Sequence, residues 1–186
     1  MKERLAMFDF DGTLYDTMPA NFFAYRDVLT RHGFSLDETY FARQCYGKNY
    51  RDFLPPIIGS DPDLLGVIHR EKLACYPDYL DQIRENTSLF DLLHALRPKY
   101  YTALVTTASR VNIMSILERF GRKDSFDLIL TQEDIPHSKP APDGFLMAME
   151  HFNIPAECSI IFEDSESGIS AAKASGAQYF VVQGIR

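Results

Sequence analysis

The chain has little cysteine, no long apolar run and a deficit of positive charge. Its three cysteines, Cys45, Cys75 and Cys158, form no CxxC pair. Scattered thiols of this kind offer no disulfide framework and suit a reducing compartment. No apolar stretch reaches transmembrane length, and no signal peptide precedes the first strand-like run. A cytoplasmic protein without a membrane partner is therefore expected. Lys and Arg number 19 against 26 Asp and Glu, a formal net charge of −7. Such an acidic surface argues against broad binding to nucleic acid, yet it leaves room for an anionic substrate in a locally positive pocket. Internal repeats and low-complexity tracts are also missing, and nothing implies an obligate protein partner. The glycosylation sequon at Asn86 would go unused in a cytosolic chain.

What is there is a chain of 186 residues, 46% of them hydrophobic, long enough for one domain with a small appendage. Five short runs read as buried strands: 5–10, 101–106, 127–131, 158–162 and 179–183. They are rich in Val, Ile, Leu and aromatics with little alternation, as strands covered on both faces should be. Helical spacing lies between the last four. Leu89, Leu92, Leu93 and Leu96 repeat at i, i+3, i+4, i+7, and so do Ile113, Ile116, Leu117 and Phe120. The stretches 142–152 and 167–176 read as the next two helices. This alternation predicts an α/β fold with a doubly wound, Rossmann-like parallel sheet.

Residues 17–86 break the rhythm. A helix opening near Pro19 and closing before Gly33 comes first, then shorter helical segments punctuated by "GKN", "PP" and "GSDPD". The stretch is far longer than an ordinary connection of about 2–6 residues. It reads as a small all-helical cap inserted into a catalytic core made of 1–16 and 87–186.

The candidate chemistry follows the strands, at the ends where open parallel sheets gather ligands. Asp9 and Asp11 follow the first, with Gly12 and Thr13. Thr106 and Thr107 follow the second, Lys139 lies between two prolines after the third, and Glu163, Asp164 and Ser165 follow the fourth. Like charges this close repel, so a cation between them is expected. Clustered oxygen ligands suit a hard divalent ion, magnesium above all. Hydroxyls and a lysine suit the oxygens of a phosphoryl group.

The ordered set "DFDGTLYDT", "VTTAS", "SKPAPDGF" and "EDSESG" resembles the four motifs of the haloacid dehalogenase superfamily of phosphohydrolases. The resemblance spans the chain and is nearest in look to the phosphoglycolate phosphatase and beta-phosphoglucomutase group. It implies a magnesium-dependent phosphatase acting on a small phosphorylated metabolite through an aspartyl phosphate. Asp9 would be the nucleophile and Asp11 the general acid and base. Thr106, Thr107 and Lys139 would hold the phosphoryl group. Asp9, Asp11, Asp164 and Glu163 would surround the metal, Asp11 through its main-chain carbonyl. Lys48 and Arg51 in the helical insert would contact the substrate. A mutase on the same fold is the alternative, against which stands Asn21, where the mutases carry histidine. A phospho-acceptor switch like a receiver domain is a remote third, since receivers lack a long helical insert. Tyr15 and Arg110 also lie near motif ends, with a plain surface role equally open.

Overall fold

The computed structural model describes residues 2–183. In chain order the elements begin with β1 (Arg4–Phe8), β2 (Tyr15–Asp16) and α1 (Met18–Arg31). Three short helical segments follow, α2 (Glu38–Tyr40), α3 (Tyr50–Phe53) and α4 (Pro55–Ile58), then α5 (Pro62–Cys75) and β3 (Arg84–Glu85). Next come α6 (Thr87–Leu96), β4 (Tyr100–Val105), α7 (Arg110–Arg119) and β5 (Leu128–Leu130). The chain closes with α8 (Asp143–Phe152), β6 (Ser159–Glu163), α9 (Glu166–Ser175) and β7 (Gln178–Val181).

Two compact units divide the chain: residues 1–16 with 84–186, and residues 17–83. The first carries a five-stranded sheet in the order β5-β4-β1-β6-β7, every pair parallel. β1 is therefore central, with Phe8 level with Leu104 on one side and Phe162 on the other. Leu5, Met7, Ala103, Val105 and Ile161 from the sheet pack with Phe145 and Ala148 of α8 and with Ala171 and Ala172 of α9. This is the continuous apolar strand chemistry that a sheet covered by helices demands. Helix ends follow local rules: Ser165 caps α9 by accepting from the Gly168 amide, and Gly176 takes φ +79° after its last turn.

Three expectations need correction. The first strand ends at Phe8, because the Phe10 carbonyl turns back to accept from the Leu14 and Tyr15 amides. Residues 84–86 belong with the sheet unit, since β3 pairs antiparallel with β2 and the Asn86 amide donates to the Leu14 carbonyl. The last strand is not covered on both faces: it is a sheet edge, with Phe180 and Val181 each 55% exposed.

Among the described residues, the regular elements of the second unit are all helical, with α1 and α5 the longest. Its core joins Phe22, Tyr25, Val28 and Leu29 of α1 to Phe41, Phe53, Leu54 and Ile68. Lys72 is buried there, its Nζ donating to Asn21 Oδ1 at 2.7 Å and lying 3.9 Å from the centre of the Tyr76 ring. Among the described residues, no helix is long and apolar enough to cross a membrane.

Candidate active site

β1 carries the chain into a tight loop at its carboxyl end. Asp9, one residue past the strand, is held by its amide, which donates to the Phe162 carbonyl at 3.0 Å. Its side chain is buried beside Lys139, whose Nζ donates to Asp9 Oδ1 at 2.6 Å, to Glu163 Oε1 at 2.7 Å and to the Val105 carbonyl at 3.0 Å. One ammonium thus joins the ends of three adjacent strands. Its three donors are all used, which fixes a normally mobile side chain.

Glu163 is fully buried. Its Oε2 accepts from the amide and the hydroxyl of Ser165, at 2.9 and 3.0 Å. Asp164 accepts from Thr13 Oγ1 at 2.8 Å. Asp9, Glu163 and Asp164 together offer three carboxylate oxygens within 4.8 Å of one another. The electrostatics follow from that crowding. Burial, and then the charge of Glu163, push the Asp9 carboxyl well above its usual range, with Lys139 working against them. Burial also lifts Asp164 to about 6, with Thr13 opposing and Glu163 and Asp11 adding to the rise. For Lys139 burial works against the charge, but Asp9 and Glu163 outweigh it and raise its pKa.

Two glycines make room for the acids. Gly12 has φ +90°, and a Cβ on it would lie 2.1 Å from Asp164 Oδ2. Its own amide donates to the Tyr15 carbonyl at 2.8 Å. Gly168 faces Glu163 in the same way. Asp11, in the same loop as Gly12, is half-buried and bridges to Tyr15. Thr106 is buried after β4, its hydroxyl oxygen accepting from the Ala108 amide at 3.1 Å. Thr107 is half-buried and lines a small cavity with Val105, Lys139 and Phe145.

The structure therefore brings Asp9, Lys139, Glu163 and Asp164 into one contact network, with Asp11 two residues from Asp9. Lys48 and Arg51 belong to the helical unit, where both are exposed and the Arg51 guanidinium lies 4.7 Å from the centre of the Tyr50 ring. Tyr15 is no surface residue. It is fully buried, packed against Phe10, Phe90 and Phe120. Arg110 is exposed and paired with Asp134. Sequence reasoning gave no role to Thr13 or to the Ser165–Glu163 bonds. Hydroxyls within two residues of motif acids were the available signal. The Asn86 side chain, read as an idle sequon, spans Thr13 and α6: its Nδ2 donates to the Thr13 carbonyl and its Oδ1 accepts from the Leu89 amide.

The profile of the haloacid dehalogenase-like hydrolase family matches residues 6–182. The chain belongs to this family. It is 30% identical to the phosphorylated carbohydrates phosphatase of Thermotoga maritima, over 92% of this chain and 81% of that protein. It is also 30% identical to the fructose-1-phosphate phosphatase of Escherichia coli, over 95% of each. The structure of CbbY from Rhodobacter sphaeroides in complex with phosphate shares the fold, with a TM-score of 0.86 at 24% identity, covering 100% of this chain and 88% of that one. The chain is accordingly an enzyme, a haloacid dehalogenase-like hydrolase with a Rossmann-like core.

Proposed function

We propose that this phosphoric monoester hydrolase is a magnesium-dependent phosphatase of a small phosphorylated metabolite, working through an aspartyl phosphate on Asp9. The observation that carries the reading is the contact of Lys139 with both Asp9 and Glu163 at the centre of the sheet. It leaves a buried carboxylate beside a cation that can also neutralise an incoming phosphoryl group. Relatives that act on phosphorylated carbohydrates and on fructose 1-phosphate favour a sugar phosphate as substrate.

In the first step an Asp9 oxygen attacks phosphorus in line and the bond to the leaving oxygen breaks. Asp11 gives that oxygen its proton. In the second step Asp11 takes a proton from water, the water oxygen attacks phosphorus, and the bond to Asp9 breaks to release inorganic phosphate. Lys139 screens Asp9 and, by giving up one of its three bonds, donates to a phosphoryl oxygen. The Thr106 oxygen already accepts from Ala108, so its O–H is left to donate to the phosphoryl group. Thr107 adds a second hydroxyl beside Lys139.

The residues fit a hard divalent cation, because three carboxylates crowd together and all offer oxygen. Asp9, Asp164 and the Asp11 carbonyl would hold it, with Glu163 bracing from behind through Lys139 and Ser165. Magnesium there would supply positive charge against the repulsion between carboxylate and phosphate. Residues 17–83 are assigned the role of a lid that selects substrate, with Lys48 and Arg51 as contacts. A hydrolysis panel of sugar phosphates, phosphoglycolate, nucleotides and flavin mononucleotide tests the substrate class. Acid-quenched protein analysed by mass spectrometry should carry phosphate on Asp9. Phosphate on another residue would overturn the mechanism.

A further inference from the structure

Tyr15 closes the loop that carries Asp11. Asp11 and Tyr15 form a β-bridge, the Gly12 amide donates to the Tyr15 carbonyl, and the Tyr15 amide returns to the Phe10 carbonyl. The placement of Asp11 therefore depends on the seat of Tyr15. That seat is built by residues far away in sequence. The ring lies among Phe10, Phe90 and Phe120, and its hydroxyl donates to Glu85 Oε2 at 3.4 Å. Glu85 pairs with Tyr15 across the β2–β3 ribbon, so backbone and side chain meet at one point.

Glu85 is in turn held by Arg122. The guanidinium donates two bonds, Nε to Oε2 at 2.9 Å and Nη2 to Oε1 at 2.7 Å, and lies 4.6 Å from the centre of the Phe90 ring. The Glu85 side chain is only 9% exposed and that of Arg122 26%. Gly121 has φ +66°, and the Arg122 amide donates to the Leu117 carbonyl at 2.7 Å. The end of α7 thus delivers both Phe120 and Arg122 to Tyr15. An apolar pair would pack the same space without desolvating two charges. What the ion pair adds is a planar fork that fixes the orientation of the carboxylate facing Tyr15.

We infer that Arg122 and Glu85 are positioning residues for Asp11, acting through Tyr15 and its loop. This rests on the proposed acid and base role of Asp11. Loss of the fork would leave Asp9, Lys139 and Glu163, bonded to one another at the strand ends, in place and loosen the loop that carries Asp11. The cost should fall on the step that needs its proton.

The test is single-turnover rapid-quench kinetics of the full chain with magnesium, following phosphoryl transfer to Asp9 from glycerol 2-phosphate and from p-nitrophenyl phosphate. p-Nitrophenolate leaves without a proton; an alkoxide does not. Arg122→Met should slow transfer from glycerol 2-phosphate about 10-fold or more, part of the roughly 10²–10⁴-fold that a general acid supplies. Transfer from p-nitrophenyl phosphate should fall by clearly less, since that leaving group draws little on the acid and loses only what the Asp11 carbonyl gives the metal. Arg122→Lys, which keeps the charge and loses the fork, should fall between, and it decides the matter if Arg122→Met does not fold. Amide exchange provides a readout apart from activity: the Gly12 amide should lose protection in both variants while that of Met7 in β1 keeps it. Asp11→Asn, run beside them, should show the same leaving-group selectivity in full. Selectivity in Asp11→Asn but equal losses on both substrates in the Arg122 variants would overturn the positioning role alone. No selectivity in Asp11→Asn would overturn the acid role of Asp11 and this inference with it.

Discussion

Glu163 occupies the space that a side chain at Gly168 would need: a Cβ there would lie 1.7 Å from Glu163 Oε1. In an open helix, Gly→Ala stabilises by about 1 kcal/mol. Here the sign reverses, because the obstructing atom is a buried carboxylate bonded to Lys139 and Ser165. Gly168→Ala should destabilise the protein by about 2 kcal/mol, as overpacking does. Activity should fall with it as Lys139 loses its second anchor. Urea denaturation alongside steady-state kinetics checks both, and an alanine variant more stable than the parent would contradict the packing described.

The two opening acids should separate by leaving group. Asp9→Asn should abolish turnover on every substrate, since an amide is a poor nucleophile. Asp11→Asn should release a burst of p-nitrophenol near one per active site and then stall, because the second step needs a base whichever group has left. Wild-type turnover of alkyl phosphates by Asp11→Asn would defeat the assignment.

Metal dependence is the third expectation. A chelator should remove activity and magnesium should restore it, while calcium supports little, because calcium favours more ligands and looser geometry around Asp9 and Asp164. Full turnover in the chelator would remove the cation from the mechanism.

In the helical unit, His69 stacks on Tyr50 with ring centres 3.6 Å apart. Burial first, then Lys72 and Arg51, lower its pKa from 6.5 to about 4. The unfolded chain takes up the proton first as pH falls, so stability should be complete above 6.5, decline towards pH 4 and level off below it. The group is only half-buried, and screening by solvent will reduce the size of the effect. His69→Gln should flatten the melting temperature across that window. An unchanged slope in the variant would assign the pH dependence to other groups.

Long elements were legible from residue pattern, though the first strand ends two residues earlier than its apolar run. Apolar runs without alternation marked all five sheet strands, and the stretch 167–176 marked α9 to within a residue of its ends. The acids, hydroxyls and lysine of the site stood out because each follows such a run. The ribbon of β2 and β3 was not legible, since strands of two residues have no periodicity. Tyr15 was open to a surface reading for the same reason. Its partners Glu85 and Arg122 lie 70 and 107 positions along the chain, and no local rule links them. Glu163 could be placed beside the metal acids by proximity, but its bonds to Lys139 and Ser165 depend on the fold.

The rings of Phe8, Phe162 and Phe180 stack in series across β1, β6 and β7, with centres 4.7 and 5.5 Å apart. Asp9 follows the first ring and Glu163 the second. At the outer end, the Val182 amide donates to the Glu163 carbonyl at 2.8 Å. Fraying of the exposed edge strand would therefore loosen Glu163 before Asp9. On mild heating the enzyme should lose its grip on Lys139 while its central strands remain intact, so that inactivation runs ahead of unfolding and reverses on cooling.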